Sequence, residues 1–373
     1  MRNTHVLPLL LLISLIACGQ QKDTTIHEPE TASYTVETVL DGLSVPWSMA
    51  FLPDGGMLIT ERSGELIRFR DGKKTAITNV PEVYARGQGG LLDIILHPDF
   101  ENNRQVYLSY STTEGKENGA HTAIMRATLE GNSLTDKKVL YKGTPNTRKS
   151  HHFGSRMVFD RDGHLYFSIG ERGDHDINPQ DITRDGGKIY RIYDDGRIPE
   201  DNPFRNIPEA KSAIYSYGHR NPQGMVIHPQ TGRVWVHEHG PRGGDEINII
   251  KKGANYGWPE ITYGIDYDGT VISDETAREG MEQPLYYWVP SIAPSGMAFI
   301  TSDIYPDWKG NLLAGSLAFQ YLERLVIEDN KVTYREKLLP GTGRVRDVRQ
   351  GPDGYIYAAI EGKGIVKIVP SRS

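Results

Sequence analysis

The chain has 373 residues, a formal net charge of −6 and a single cysteine, Cys18. A mildly acidic chain without a concentrated basic stripe argues against a nucleic-acid partner, and one cysteine excludes an internal disulfide. Gly (40) and Tyr (20) are plentiful while long amphipathic helical patterns are absent, which predicts many short strands joined by tight turns.

In chain order, Arg2 precedes the apolar run "VLPLLLLISLIA", which is too short to span a bilayer comfortably and ends at small residues, as a secretory signal does. Its end, "LIAC" at 15–18, resembles a bacterial lipobox, which implies cleavage before Cys18 and lipidation of the thiol. The only thiol is then neither a nucleophile nor a metal ligand. Gly19 follows without an aspartate, which favours the outer membrane. Residues 19–33, "GQQKDTTIHEPETAS", are polar without apolar periodicity and read as a flexible tether. The expectation is an exported protein held in the cell envelope, outer membrane or periplasm-facing, by a lipid at Cys18, with a folded body over residues 34–370.

Within the body one grammar recurs: strand, glycine turn, strand, turn, strand. It is clearest in "FLPDGGMLITERSGELIRF" (51–69), "MVFDRDGHLYFSIGERG" (157–173), "MVIHPQTGRVWVHEHG" (225–240) and "VRQGPDGYIYAAIEGKGIVKIV" (348–369). Weaker copies lie at 92–111 and 297–317, which makes six. Each copy is a sheet too small to bury its own faces, and radial stacking solves this. The pattern predicts an all-β, six-bladed β-propeller, its ring closed by the early strand 34–40 beside the C-terminal strands. The longest non-repeat stretches, 174–215 and 251–295, should make one face loop-rich and carry the chemistry.

Several stretches carry candidate chemistry. "SHHFGSRMVF" (150–159) sets His151 and His152 at the mouth of a strand, where alternation would point them to opposite faces, so at most one of them should be chemical. "YSYGHRNPQGM" (215–225) presents Arg220 and Asn221 before a strand, a fixed set of donors suited to a carboxylate or a developing oxyanion. "GPRGGDE" (240–246) offers carbonyls beside Asp245 and Glu246, the hard oxygens Ca²⁺ prefers, and Tyr256, Tyr263, Asp266 and Tyr267 follow. In "GTGRVRDV" (341–348), Arg344 and Arg346 should point the same way. Without a nearby acid they would repel unless an anion lay between them.

Taken in order, "GQGGLLDI" (87–94), "HHFGSRMVF", "GHRNPQGM", "GPRGGDEINII", "NYGWP", "PSIAPSG" (290–296) and "GRVRDV" resemble the soluble aldose sugar dehydrogenases that use pyrroloquinoline quinone (PQQ). The resemblance covers about residues 40–370 and implies a six-bladed propeller with PQQ and Ca²⁺ on its loop face. It implies that His152 is the general base for oxidation of an aldose at C1 to the aldonolactone, with electrons passed to an external acceptor. It assigns Gln88, Arg220, Asn221 and Tyr267, or Tyr263 in another register, to cofactor contact, with Arg220 also stabilising charge. It adds Leu317, Ala318, Phe319, Arg344, Val345 and Arg346 to the cofactor set, the two arginines pairing with PQQ carboxylates. Gly240 and Pro241 would give carbonyls to the Ca²⁺ at the quinone, while Glu246, the Tyr256 carbonyl and Asp266 resemble a second, structural calcium site.

Two departures stand out. Ala318 replaces a cofactor-binding lysine of the strict glucose dehydrogenases, and Val289 replaces a tryptophan whose place Trp288 could take. Both imply looser aldose specificity. The other readings are a calcium-dependent propeller lactonase, which would need oxygen and nitrogen ligands converging on the axis and not the arginine pair, and a non-catalytic propeller that binds glycans.

Overall fold

The computed structural model describes residues 25–27 and 34–371. The expected signal segment, Cys18 and most of the tether lie outside the described residues. Among those described, no helix is long and apolar enough to cross a membrane.

Six antiparallel sheets form the six blades of a β-propeller. Blade 1 is Pro46–Phe51, Met57–Glu61, Leu66–Arg70 and Lys73–Ala76; blade 2 is Leu91–Leu96, Gln105–Thr112, His121–Glu130 and Ser133–Lys142. Blade 3 is Met157–Phe159, His164–Ile169, Lys188–Tyr193 and Ile214–Tyr217; blade 4 is Pro222–Ile227, Val234–Glu238, Asp245–Ile249 and Tyr286–Trp288. Blade 5 is Pro294–Phe299, Leu312–Ser316, Tyr321–Glu328 and Lys331–Leu338. Blade 6 is Val345–Gln350, Ile356–Ile360 and Gly364–Pro370, completed on its outer edge by the early strand Tyr34–Asp41, with Tyr34 opposite Pro370. The ring is therefore closed by both ends of the body, as the sequence predicts. The stretch 174–215 is not all loop, since it holds the third strand of blade 3.

The turns explain the repeat. Asp54, Asp160 and Asp353 each accept a backbone N–H two residues on, at 3.0, 2.9 and 3.2 Å, and a glycine at φ of about +82° follows in each turn. An Asx turn of this kind reverses the chain between the first and second strands.

An apolar layer fills each junction between neighbouring blades. Leu58 and Leu66 of blade 1 meet Ile94 and Leu108 of blade 2, and Leu313 and Leu322 of blade 5 meet Val345 and Val348 of blade 6. The axis, by contrast, is polar. Arg156 of blade 3 spans Asp93 of blade 2 (3.1 Å) and Asp347 of blade 6 (3.0 Å), and its Nε donates to Gln223 O of blade 4. Arg349 adds bonds of 3.0 Å to both aspartates, and Ser48 of blade 1 donates to Asp93.

One difference concerns the tether. Ile26–His27 pairs in parallel with Arg335 and Glu336 on the outer edge of blade 5, and His27 stacks on Tyr334 at 4.7 Å. Edge pairing uses backbone groups, so a polar sequence without periodicity gave no sign of it.

Candidate active site on the loop face

In an antiparallel blade, the connection from second to third strand and the connection from the outer strand to the next blade open on the same face. Gln88, His152, Arg220, Asn221, Gly240, Pro241, Leu317, Ala318, Phe319 and Arg344 all fall in such connections. The connection 250–285 of blade 4 joins them: Asn255 bridges to Tyr217, and Arg242 N–H donates to Ile265 O at 3.1 Å.

The two histidines do not face opposite ways. His152 has φ of +55° and lies outside any strand, which breaks the alternation expected of extended chain, and the His151 and His152 rings meet edge-on at 4.6 Å. Arg172, stacked 3.5 Å over Phe153, fixes this turn by donating to the carbonyls of His151 and Lys149. The His152 N–H donates to Gln88 Oε1 at 2.8 Å.

The carboxylate partner of His152 was missed in the sequence. Glu171, two residues past the strand His164–Ile169, accepts Nδ1–H of His152 and is almost fully buried. The only available signal was its place in the "SIGERG" end of a repeat. With Nδ1 engaged, Nε2 is the ring atom that can meet a substrate. Burial, with Arg220 next, drives His152 well below the usual histidine range, so the ring is neutral at pH 7. Burial pushes Glu171 up, and Arg220 acts against it. His151, His152 and Glu171 hold ligand-capable atoms within 4.8 Å of one another.

Arg220 is buried rather than displayed, and is set by a chain of hydrogen bonds. Ser216 Oγ meets His219 Nε2 (2.9 Å), His219 Nδ1 meets Glu238 (2.7 Å), and Glu238 accepts the Arg220 N–H (2.6 Å). The guanidinium donates to the carbonyls of His239 (3.1 Å) and Gly240 (2.9 Å), over the Trp258 ring at 5.3 Å and beside Tyr267 at 6.0 Å. Asn221 accepts the Gly154 N–H at 3.0 Å. Tyr263 instead stacks on Tyr287 at 3.8 Å, so of the two tyrosines it is Tyr267 that lies by Arg220.

The arginine pair is corrected. Glu361 accepts from Arg344 Nε (2.8 Å) and Arg346 Nε (2.9 Å), so an acid does lie between them. Burial alone would raise Glu361, but Arg346 holds it below the usual carboxylate range. The side chains of Leu317, just past the strand Leu312–Ser316, and of Val345 are buried, so only their main chains can face a ligand; Leu317 O already accepts from Arg344. Ala318 N–H donates to Ile292 O, and Phe319 is exposed. Trp288 is buried with its indole N–H on Glu323, so it cannot replace a tryptophan at exposed Val289.

The donor set fits both expected groups. Asn221 Nδ2 and Glu171 Oε2 are buried without a partner among the described residues, and the arginines border the same face, as a tricarboxylate quinone requires. Beside Arg220, a cavity of about 10 Å³ is lined by Glu238, Gly240, Glu246, Tyr256 and Thr262, room for one water-sized occupant. Burial, with Glu238 next, pushes Glu246 up to about 8, and burial pushes Asp245 up to about 7. The Glu246 carboxylate and the carbonyls lining this cavity suit a hard cation. The Tyr256 phenol is taken by Ile249 O and the Lys251 N–H, leaving its main chain, while Asp266 lies outside that lining in the turn 266–270.

A histidine–carboxylate pair beside an anchored guanidinium on the loop face of a six-bladed propeller gathers a proton acceptor and a fixed positive charge in one site. The profile of the glucose/sorbosone dehydrogenases matches residues 43–367, and the chain belongs to that family. It is 44% identical over 349 residues to the aldose sugar dehydrogenase YliI of Escherichia coli K12, covering 91% of this chain and 94% of that protein. The crystal structure of the soluble E. coli aldose sugar dehydrogenase in its apo form superposes with a TM-score of 0.87 at 43% identity, covering 90% of this chain and 99% of that one. The PQQ-bound aldose sugar dehydrogenase of Streptomyces coelicolor gives 0.73 at 29% identity, over 91% and 98% of the two chains.

Proposed function

We propose that this sugar dehydrogenase oxidises aldoses at C1 to the aldonolactone with PQQ and Ca²⁺, and that His152 is its general base. The observation that carries this reading is the His152–Glu171 pair beside Arg220. Glu171 fixes the tautomer with Nδ1 protonated, and Nε2, neutral at working pH, takes the proton of the anomeric hydroxyl. PQQ, when bound, would supply the acceptor for the hydride leaving C1, with Ca²⁺ as a Lewis acid beside it.

Gln88, Asn221, Tyr267, Arg344, Arg346 and the main chain of 317–319 and 345 would hold PQQ. The carbonyls of Gly240 and Pro241 would hold its Ca²⁺, and Glu246 with the Tyr256 carbonyl a second one, Asp266 lying outside the cavity they line. Arg220, already immobilised by two carbonyls, faces developing negative charge without having to reorganise. The absence of the lysine at Ala318 and of a tryptophan at Val289 supports a broad aldose range. Export and a lipid at Cys18 belong to the same reading and are supported by the sequence of residues 1–18.

A propeller hydrolase with an axial metal is disfavoured because Asp93 and Asp347 at the axis are bound by Arg156 and Arg349. The test is dye reduction by metal-stripped protein given PQQ with and without Ca²⁺, against a panel of aldoses. A rate that needs both supports the proposal; no reduction with any sugar, and no PQQ binding at micromolar levels, refutes it.

A further inference from the structure

Resting on the dehydrogenase reading, the inference concerns where the electrons go. Each aldose oxidised releases two electrons and two protons, and the chain's single cysteine rules out a thiolate-held cluster to which they could pass internally. They must leave through the surface above the site.

That surface is distinctive. Of the nine exposed large apolar side chains among the described residues, six lie on the loop-face connections: Ile177, Ile265, Tyr267, Val271, Val289 and Phe319. They are not scattered. Tyr267 lies by Arg220, and Ile177 is two residues from His175, whose ring packs against Trp258 at 6.3 Å beneath that arginine. A Cβ on Gly243, in the loop that holds Gly240, would meet Val289 at 3.3 Å. Tyr267, Ile177 and Val289 thus border the site mouth, with Ile265 and Val271 flanking the turn 266–270 that carries Tyr267, and apolar groups gathered in this way mark an interaction surface.

The flanking charge is acidic. On the side of blades 3 and 4, Asp174 and Asp176 precede Ile177, and Asp266, Asp268 and Asp274 bracket Tyr267 and Val271, against two cations, Arg242 beside Gly269 and Lys149 beside Gly173. A small diffusible acceptor needs only access to the site and makes no use of such a rim.

We propose that this rim is the docking surface for a one-electron redox protein whose own contact face is apolar and ringed by positive charge. Two such molecules bind in turn, each taking one electron, and the two protons go to solvent. Redox encounters of this class use small interfaces, with charge steering approach and a few apolar contacts holding the complex.

The experiment compares two acceptors with protein loaded with PQQ and Ca²⁺: 2,6-dichlorophenolindophenol and a basic, soluble cytochrome c. The double variant Ile177→Ser, Val271→Ser should raise KM for cytochrome c at least about five-fold and leave dye kcat and KM unchanged. Asp176→Lys with Asp274→Lys should slow cytochrome c reduction and flatten its dependence on ionic strength. Cytochrome c reduction that is equal in all variants, or absent while dye is reduced, overturns the proposal. If neither acceptor is reduced, the dehydrogenase reading has failed, and calorimetric titration of oxidised cytochrome c into the protein without PQQ decides the surface. Binding that both double variants abolish supports it, and no binding overturns it.

Discussion

Glu171 accepts Nδ1–H of His152 while its own N–H donates to Arg220 O at 2.8 Å, so one residue sets both the His152 ring and the loop that carries the guanidinium. His152→Ala should lower kcat by about 10²–10⁴-fold with little change in PQQ affinity. Glu171→Gln should cost less, because an amide oxygen still accepts the Nδ1 hydrogen but no longer stabilises the imidazolium that forms. Steady-state kinetics on the two variants checks the order.

The pH profile follows from the same ring. Only neutral His152 accepts the proton, and burial with Arg220 places its protonation well below the ordinary value of 6.5. The acid limb of kcat should therefore lie below pH 6.5, with full activity at pH 7. A limb centred at or above 6.5 would contradict the assignment.

Gly170 stands where His152 and Asn221 close on each other. A Cβ there would lie 2.4 Å from His152 O and 2.6 Å from Asn221 Oδ1. Gly170→Ala should displace both and cut kcat at least about ten-fold, with a smaller loss of thermal stability, since a misplaced catalytic group is costly even when the fold survives. Paired melting and kinetic measurements separate the two effects.

At the axis, Arg156→Ala strands two buried carboxylates that it normally bridges, leaving only Arg349 between them. The expected loss of stability is about 3–5 kcal/mol, read by urea unfolding.

Calcium should stabilise the protein without PQQ. Occupancy at about 100-fold over Kd adds about 3 kcal/mol, seen as a higher Tm. Glu246→Gln removes one candidate oxygen ligand and should abolish most of that shift.

The six blades were legible because strand alternation and a tight turn recur, plainest in blades 1, 3 and 6, where the turn is an Asx turn at Asp54, Asp160 and Asp353. Residues 34–40 were legible as the closing strand because the ring needs a partner for its last edge. What sequence could not supply was contact between loops. Glu171 is 19 residues from His152, and the two meet only because His152 adopts a left-handed backbone that strand alternation does not anticipate. Glu361 pairs with both Arg344 and Arg346 across a hairpin, from 17 and 15 residues away. Trp288 looked available as a sugar wall by proximity, yet strand pairing turns it inward to Glu323.

The central claim is that His152 is the base for sugar oxidation by PQQ, and a single turnover tests it most directly. Wild-type and His152→Ala protein, each loaded with PQQ and Ca²⁺, are mixed with one equivalent of an aldose without acceptor, and the quinone absorbance is followed. The account predicts that both bind PQQ and that the variant loses the absorbance at least about 10²-fold more slowly. Equal rates in the two proteins, or no PQQ bound to either, would contradict it.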